Sequence, residues 1–535
     1  MSKNKNPQTK ITETYWTSFQ LCEDDLDFLY NHLLERETPL TTAELIEALV
    51  QERITREVER IERELSSSAD LFLPKNTYQI GQELAFPALE YQQGTVTAVR
   101  PGVNPAIAAF NIIDVTLESG ETHSFACDLE NHELNNLVSP QESDPLYDPK
   151  SVVDRFGKVL RSSISEPLAE NDNLVQIAGS WFPQALLVDI NIGYLNMAEA
   201  LLEMEEGGPL STTSILEQIE LPTDVNKNLT EFSLNFTLQE DARFDEVGPA
   251  GETLWFLRQL EPDMVRDVPV YLKHTQFDYD IESLQELTSM LEEDVIDELQ
   301  PETSACCEDD EVAVTLIFPH WKSGTLPLSD RIHRLFPTAY EAPRVQFTFV
   351  DANTNETFPG WVVRANKYVY GLEEWYKQNE LIPGSMVYIR RGDEPGKVII
   401  RSEGKRSNRE WMRTALVGSD GGVVFAMLKQ IVPPGFNDRM AVVIPDTDTL
   451  EELWLNKTLQ KKPFEKLILS TFQELAKLNQ QGHVHALELY AAMNIVRRCP
   501  PIAILDALSK APWAKHLGDL YFTMESSTSS GGAND

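Results

Sequence analysis

The chain has 535 residues and a formal net charge of −40, from 85 acidic and 45 basic side chains. A hydrophobic fraction of 42% is enough for packed cores, so the composition excludes a disordered chain. At this length we expect roughly three to five domains. The charge opposes indiscriminate binding to polyanions, so any contact with nucleic acid must be local.

The cysteines favour a reducing compartment, and the hydropathy disfavours a membrane segment. The five cysteines are odd in number and none forms a Cys-x-x-Cys pair, which disfavours both a disulfide framework and a zinc site. The first residues lack an apolar core, and no run approaches the roughly 18 apolar residues of a membrane helix. We therefore expect a cytoplasmic protein without a signal peptide or membrane contact.

The first predicted module covers residues 21–84, after a polar segment at 1–20. Apolar residues at helical spacing predict helices at 24–36, around Leu45 and Leu49, and through Val58 and Leu65. A hairpin is predicted at 71–80, turning at Lys75 and Asn76. Three helices and a hairpin predict a winged helix.

Residues 85–138 alternate apolar and polar side chains, as in residues 95–100 and 110–117, and Gly120 marks a hairpin turn. This pattern predicts a small antiparallel β-barrel. Such a barrel either accompanies nucleic-acid machinery or acts as a structural spacer. A proline-rich and acidic linker is expected at 139–150.

A second module is predicted at 151–260, with an N-terminal extension that contains a helix at 152–160. It has helices at 196–204, through Ile215 and Ile219, and through Phe232 and Leu238, followed by a hairpin at 243–255. The turn Pro-Leu-x-Thr and the ending Phe-x-x-Val-Gly resemble HARE-type helix-turn-helix modules of bacterial and chromatin-associated proteins. A third, weaker copy is predicted at 461–524.

These modules favour protein contacts over DNA. The segments AELIEALVQ and TSILEQIE, interpreted as second helices, contain no Lys or Arg, which a groove-reading helix usually needs. DNA reading by the modules is the lesser alternative, and Lys75 and Asn76 are its candidates.

An acidic linker is predicted at 261–311. Residues 278–311 contain 14 acidic residues and no Lys or Arg, and Leu284, Leu287 and Leu291 are in helical register. We interpret the segment as a solvated tether with a flexible end at 306–311. The alternative is that it mimics nucleic acid and competes for the basic domain that follows.

Within residues 312–404, apolar and polar side chains alternate in several short segments, which predicts strands. Between them lies one predicted amphipathic helix with Leu372, Trp375 and Tyr376 on one face. This region resembles the B-three type DNA-binding pseudobarrel of plant transcription factors. The resemblance rests on three groups of residues: Trp361 and Arg364; Tyr368, Gly371 and Trp375; and Leu381, Gly384 and Val387. Related barrels are target-reading domains of some restriction enzymes.

The resemblance implies that two arms enter the major groove of double-stranded DNA. Arg and Asn pair with base edges, while Lys, Ser and Thr hold phosphates. Residues 316–413 carry 15 Lys and Arg against 11 Asp and Glu, which makes this the only long basic region. A packing role is expected for Trp375 and Tyr388. The candidate DNA-binding residues are Trp321, Lys322, Ser323 and Thr325 on the first arm, and Arg364, Asn366, Lys367 and Tyr368 on the second.

The remaining segments suggest no chemistry. A connecting α/β segment is expected at 405–460 and a disordered tail at 525–535. No glycine-rich phosphate loop, GxSxG elbow or HExxH pair occurs, and His483 and His485 lack a third metal ligand. We expect no enzyme activity, cofactor or metal.

The sequence thus predicts an α+β multidomain protein that combines winged-helix modules, a small antiparallel β-barrel and a B-three-like pseudobarrel. The favoured function is non-enzymatic DNA binding linked to bacterial transcription or DNA defence, with the winged helices contacting proteins. The alternatives are a protein-interaction scaffold without nucleic acid, and a target-reading subunit of a restriction-type system.

Overall fold

A computed structural model describes residues 11–67, 71–86, 89, 92–104, 109–117, 120–135, 144–219, 221, 226–279, 281–292, 295–301, 310–403, 409–419, 421–432, 434–457 and 459–525. The fold is α+β with several separate sheets, as predicted. Two compact units divide the chain: an N-terminal unit of residues 1–176 and 180–187, and a C-terminal unit of residues 177–179 and 188–535. In the part of the chain so described, every helix is too short or too polar to cross a bilayer.

The N-terminal unit is built on a helical core. Its elements are α1 (Glu13–Thr17), α2 (Glu23–Arg36), β1 (Leu40–Thr41), α3 (Thr42–Ser67), α4 (Pro149–Ala169), β6 (Leu174–Ile177) and β7 (Ser180–Pro183). The three strands pair in the order β1-β7-β6. Ile11, Trp16 and Phe19 are buried in this core, so residues 11–20 belong to the fold and are not a polar leader.

The predicted boundaries of the first module are wrong in two places. Val58 lies in the same helix as Leu45, because no Gly or Pro interrupts α3 between them. Residues 71–80 form a turn in which the Asn76 N–H donates to the Leu73 carbonyl oxygen, instead of a hairpin. The paired strands that follow three helices are β6 and β7, about a hundred residues later than predicted.

A second sheet lies in the sequence between α3 and α4. It contains β2 (Glu83–Phe86), β3 (Gln92–Pro101), β4 (Asn111–Leu117) and β5 (Thr122–Cys127), paired in that order. The predicted small barrel is not closed among the described residues, because β2 and β5 are not paired. The sheet is nevertheless curled, since the rings of Phe86 and Phe125 stack with centroids 4.4 Å apart.

The C-terminal unit opens with the elements that the sequence predicted for the second module. They are α5 (Ile192–Met204), β8 (Leu210–Ser211), α6 (Thr212–Ile219), α7 (Lys227–Glu240), β9 (Phe244–Glu246) and β10 (Leu254–Leu257), with α8 (Asp263–Arg266) behind them. The sheet order is β8-β10-β9.

A nearly closed seven-stranded sheet follows. Its members are β11 (Glu311–Thr315), α10 (Phe318–Ser323), β12 (Thr325–Pro327), β13 (Arg344–Asp351), β14 (Thr357–Val363), β15 (Tyr368–Tyr370), α11 (Glu373–Gln378), β16 (Met386–Arg391) and β17 (Lys397–Ser402). The order is β11-β16-β17-β13-β14-β15-β12, and only the β13 and β17 pair is parallel. Trp375 is buried inside, where its indole N–H donates to Asp351 Oδ2 at 2.9 Å, so its packing role is confirmed.

The last part of the chain packs into the largest core. It comprises the ribbon of β18 (Arg409–Val417) and β19 (Val423–Ile431), α12 (Thr447–Leu455), α13 (Phe464–Ala476), β20 (Val484–His485), α14 (Ala486–Val496), α15 (Pro501–Lys510), β21 (Ala514–Gly518) and β22 (Tyr521–Met524). Helix α9 (Ile281–Glu292) joins this core through Leu284 and Leu291. The expected solvated tether is therefore wrong for these residues, because the apolar face of α9 is buried. Residues 302–309, which include most of the expected flexible end, lie outside the description, as do 1–10 and the tail from 526.

One topology occurs three times. Helix, strand, two helices and two strands give the sheet orders β1-β7-β6, β8-β10-β9 and β20-β22-β21, in which the first strand always pairs with the last. In two copies the last strand carries a buried tryptophan whose indole N–H donates to a threonine that begins the second helix. The distances are 2.9 Å from Trp181 to Thr42 and 3.1 Å from Trp255 to Thr212.

A buried ionic network joins the third copy to the seven-stranded sheet. Arg498 is fully buried and donates to Asp297 Oδ1 at 2.6 Å and to Glu298 Oε1 at 2.8 Å. His320 Nε2 lies 2.9 Å from Glu298 Oε2, and His320 belongs to α10. Burial alone would raise the pKa of Glu298, but Arg498 and His320 lower it below its ordinary value.

Replacing Arg498 with Met should open the third copy, because two buried carboxylates lose their counter-charge. A loss of about 3–5 kcal/mol corresponds to amide exchange in α14 and α15 that is on the order of 10²–10⁴-fold faster. Hydrogen exchange followed by mass spectrometry measures this. Arg497→Met is the control, since Arg497 is half-exposed. Equal effects of both changes would contradict the proposed importance of the network.

His485 makes the same core sensitive to acid. Its ring is buried, Nδ1 accepts the Leu487 N–H at 3.1 Å, and the Arg439 guanidinium lies against Nε2. Burial, followed by the charge of Arg439, lowers the pKa of His485 from 6.5 to about 4. The folded state therefore binds this proton less readily than the unfolded state.

Stability should consequently fall as the pH is lowered from 6.5 towards 4, by up to about 3 kcal/mol from this residue. His485→Asn keeps an acceptor for the Leu487 N–H and cannot titrate, so its urea midpoint should depend less on pH over this interval. His516→Asn, at an exposed ring of the same module, should leave the dependence unchanged. A His485→Asn curve parallel to that of the native protein would rule out this assignment.

Candidate nucleic-acid interface

Two turns leave the seven-stranded sheet at the same end. Strand β14 runs antiparallel to β13, so Val363 at its end lies opposite Arg344 at the start of β13. Strand β17 runs parallel to β13, so its first residue Lys397 lies opposite Thr348 and the preceding turn points the same way. The turns at 364–367 and 392–396 therefore extend from one end of the sheet.

The turn at 364–367 is exposed and well fixed. Arg364, Asn366 and Lys367 are exposed, while the flanking pair Val363 and Tyr368 is buried. The Lys367 N–H donates to the Arg364 carbonyl oxygen at 3.3 Å, and the Leu328 N–H donates to the Lys367 carbonyl oxygen at 2.8 Å. This turn holds three of the four candidate residues of the second arm.

Arg364 is partly engaged by the protein itself. Its Nη1 donates to the carbonyl oxygens of Ala342 at 2.8 Å and Tyr340 at 3.5 Å. These bonds orient the guanidinium plane, and Nε and Nη2 provide the donors for another acceptor. Orientation of this kind favours a contact with a base edge or a phosphate.

The second turn adds cations that the sequence analysis gave no role. Arg390 and Arg391 are exposed at the end of β16, and Lys397 Nζ lies 2.6 Å from the carboxylate of Glu394. Arg391 and Lys397 line one depression together with residues 249–252 of the β9–β10 loop. The signal in the sequence was the Arg-Arg pair directly before Gly-Asp-Glu-Pro-Gly.

Three buried or partly buried carboxyl groups near these turns have raised pKa values. Burial, followed by the neighbouring Asp245, raises the pKa of Glu261 to about 8, and burial raises that of Glu246 to about 7. Burial also raises the pKa of Glu341, a carboxyl close enough to interact with Arg364. These three carboxyl groups are therefore easier to protonate than exposed carboxyl groups.

The predicted first arm is wrong as an exposed loop. Residues 318–323 form α10, which ends at Gly324 in the left-handed conformation (φ 63°), and β12 follows at once. Ser323 and Thr325 are buried, and Thr325 Oγ1 lies 2.9 Å from His320 Nδ1. Neither side chain can reach a groove from this position.

The other two residues of the first arm are engaged within the protein. The Trp321 indole N–H donates to the Leu381 carbonyl oxygen at 2.7 Å, and Lys322 Nζ lies 2.9 Å from Glu451 Oε2. Helix α10 is held this way because its first residue, Phe318, is part of the core that contains Trp454. The arm is therefore an internal contact between the sheet and the third copy.

The prediction that Tyr368 is accessible on the second arm is also wrong. It is 1% exposed, and its hydroxyl donates to the Met264 carbonyl oxygen at 2.7 Å. On the same outer face, Trp361 meets Phe256 of β10 edge to face, with ring centroids 5.2 Å apart. The second module therefore covers the face of β14 and β15 that carries Tyr368.

Another cationic surface lies in the N-terminal unit. Helix α4 occupies the third-helix position of the first copy and exposes Lys150, Arg155, Lys158 and Arg161. Of these, Arg155 lies 2.5 Å from Glu13. The sequence predicted this helix at 152–160 but assigned it to the second module. Lys75 and Asn76, the candidates for a wing tip, lie instead beside the four-stranded sheet, where the Leu129 N–H donates to the Pro74 carbonyl oxygen.

Comparison with protein-family models, curated proteins and solved structures gives no match for this chain.

Proposed function

We propose that the protein is a non-enzymatic DNA-binding protein that contacts duplex DNA through the turns at 364–367 and 391–397. The observation that carries this proposal is the exposed set of Arg364, Asn366 and Lys367 on a turn fixed by backbone hydrogen bonds. Arg and Asn side chains can each form paired hydrogen bonds with base edges, and lysine holds phosphates.

The architecture around the turns supports the same proposal. Seven strands in a nearly closed sheet with two short helices, α10 and α11, agree with a B-three-like pseudobarrel, in which the second arm is a groove contact. Such barrels occur in transcription factors and in restriction enzymes, so we propose a role in transcription or DNA defence. Arg391 and Lys397 would meet phosphates beside the arm.

The three repeated modules are proposed to be winged helices that act in packing and protein contacts. Their shared order of helix, strand, two helices and two strands supports this assignment. The β9–β10 loop of the second module is docked on the sheet, where the Ala250 N–H donates to the Thr338 carbonyl oxygen at 2.6 Å. A wing held in this way is not free to enter a groove.

A scaffold without nucleic acid is the second candidate. It is favoured by the burial of Ser323, Thr325 and Tyr368 and by the hydrogen bond of the half-buried Trp321, all within the C-terminal unit. On this account the turn at 364–367 is only a solvated end of a packing module. The two candidates predict different behaviour of Asn366.

Asn366→Ala should weaken binding of the intact protein to a preferred duplex by about 1–3 kcal/mol and leave binding to a scrambled duplex nearly unchanged. Arg391→Gln should instead weaken both and reduce the salt slope by about one. The preferred duplex is selected from a random pool by the native protein, and affinity is measured by fluorescence anisotropy across a salt series.

Lys322→Ala serves as the matched control, because Lys322 is paired with Glu451 and should not contribute. Asn355→Gly removes another exposed asparagine, at the opposite end of β14, without strain at a positive φ of 59°. If no duplex is selected, or if Asn366→Ala behaves like these controls on both duplexes, the scaffold is the better account.

A further inference from the structure

The ribbon of β18 and β19 presents an unusual outer face. Residues directly opposite in an antiparallel pair share a face, so Trp411 lies beside Lys429 and Arg409 beside Ile431. The opposite face carries Met412, which is buried in a small cluster with Phe436. The first face, defined by Arg409, Trp411, Lys429 and Ile431, is called the Trp411 face below.

Trp411 is 65% exposed, and it is the only exposed tryptophan of the nine in the chain. The other eight are buried or half-buried, as expected of a side chain with so much apolar surface. Ile431 is also 52% exposed beside it. Exposing a large aromatic next to an aliphatic side chain marks a contact surface.

The Trp411 face is cationic although the chain is strongly acidic. Arg409 and Lys429 are both exposed there, while Glu410 projects to the opposite face of the ribbon beside Gln430. Among the described residues of the two strands, no carboxylate shares the Trp411 face. Charge complementarity therefore indicates an anionic partner.

The ribbon is anchored firmly at its other end. Ala415 and Phe425 are buried in the core of the third copy, and the Ala415 N–H donates to the Val443 carbonyl oxygen at 2.9 Å. Arg413, next on the Trp411 side, donates to Glu488 Oε1 at 2.8 Å. The Trp411 face is thus held on a rigid strand pair.

We propose that the Trp411 face binds single-stranded nucleic acid, with an unpaired base stacked on the indole and phosphates on Arg409 and Lys429. An exposed aromatic ring between cations is the arrangement that binds single strands without sequence preference. A base inside a duplex has no free face for such stacking. The site uses no residue of the 364–367 or 391–397 turns, so it stands independently of the proposed duplex contact.

The test uses the full-length protein and a short fluorescent oligo(dT). Trp411→Ala should weaken binding by about 5- to 150-fold, the effect of losing one stacked base. Trp411→Phe should keep part of the affinity. Arg409→Gln combined with Lys429→Gln should reduce the salt slope by about 1.4, because each lost phosphate contact changes it by about 0.7 for single strands.

Leu428→Ala is the matched control, because Leu428 is 40% exposed on the opposite face of the same strand. It should leave affinity unchanged. Asn366→Ala should also leave oligo(dT) binding unchanged, so a failure of the duplex proposal would not remove this one.

Three results would overturn the proposal. Oligo(dT) binding that is equal in Trp411→Ala and native protein would show that the indole is not a stacking platform. Duplex bound as tightly as oligo(dT), with the same dependence on Trp411, would identify a groove wedge instead. A change in sedimentation on Trp411→Ala, without a change in oligo(dT) binding, would identify a face between two copies.

Discussion

The buried charges of Arg498, Asp297 and Glu298 constrain the C-terminal unit more than any other interaction. These side chains are almost wholly buried, so each depends on the others for a counter-charge and for hydrogen bonds. Tyr490 adds a hydroxyl donor to Asp297, and Asn494 Oδ1 accepts from Arg498 at 3.1 Å. The geometry tolerates little displacement of α14 relative to the segment at 295–298.

This network determines which surfaces of the seven-stranded sheet can be used. Glu298 also holds His320 of α10, and α10 then packs Phe318 into the core of the third copy. The residues after His320 are consequently internal, although their sequence is rich in groups that bind phosphate. The exposed surfaces left to the unit include the turns at 364–367 and 391–397 and the Trp411 face of the ribbon.

Local sequence patterns predicted local elements well. The helices and the last two strands of the second copy follow from apolar spacing and from turns such as Pro209 to Thr212, because each element is continuous in sequence. The first copy was misread because a four-stranded sheet separates α3 from α4. The spacing of apolar residues within each helix does not show that another sheet is inserted between two helices. In addition, α3 contains no Gly or Pro that would end it early.

The candidate site was harder to predict because exposure depends on distant residues. Tyr368 is covered by residues near Met264, about a hundred positions earlier, and Lys322 is paired with Glu451, more than a hundred positions later. Arg364, Asn366 and Lys367 are exposed, because none of the modules, as far as their residues are described, covers this turn. Residue type indicated which side chains could contact DNA, and tertiary packing decided which of them are exposed.

The exposed turns at 364–367 and 391–397 are proposed to meet duplex DNA. Hydrogen exchange of the full-length protein, with and without a duplex that it selects from a random pool, tests this most directly. The account predicts slower amide exchange on binding at both turns, with α10 unchanged because it is already internal. Slowed exchange confined to other surfaces, such as α4, or no change anywhere in the chain, would contradict it.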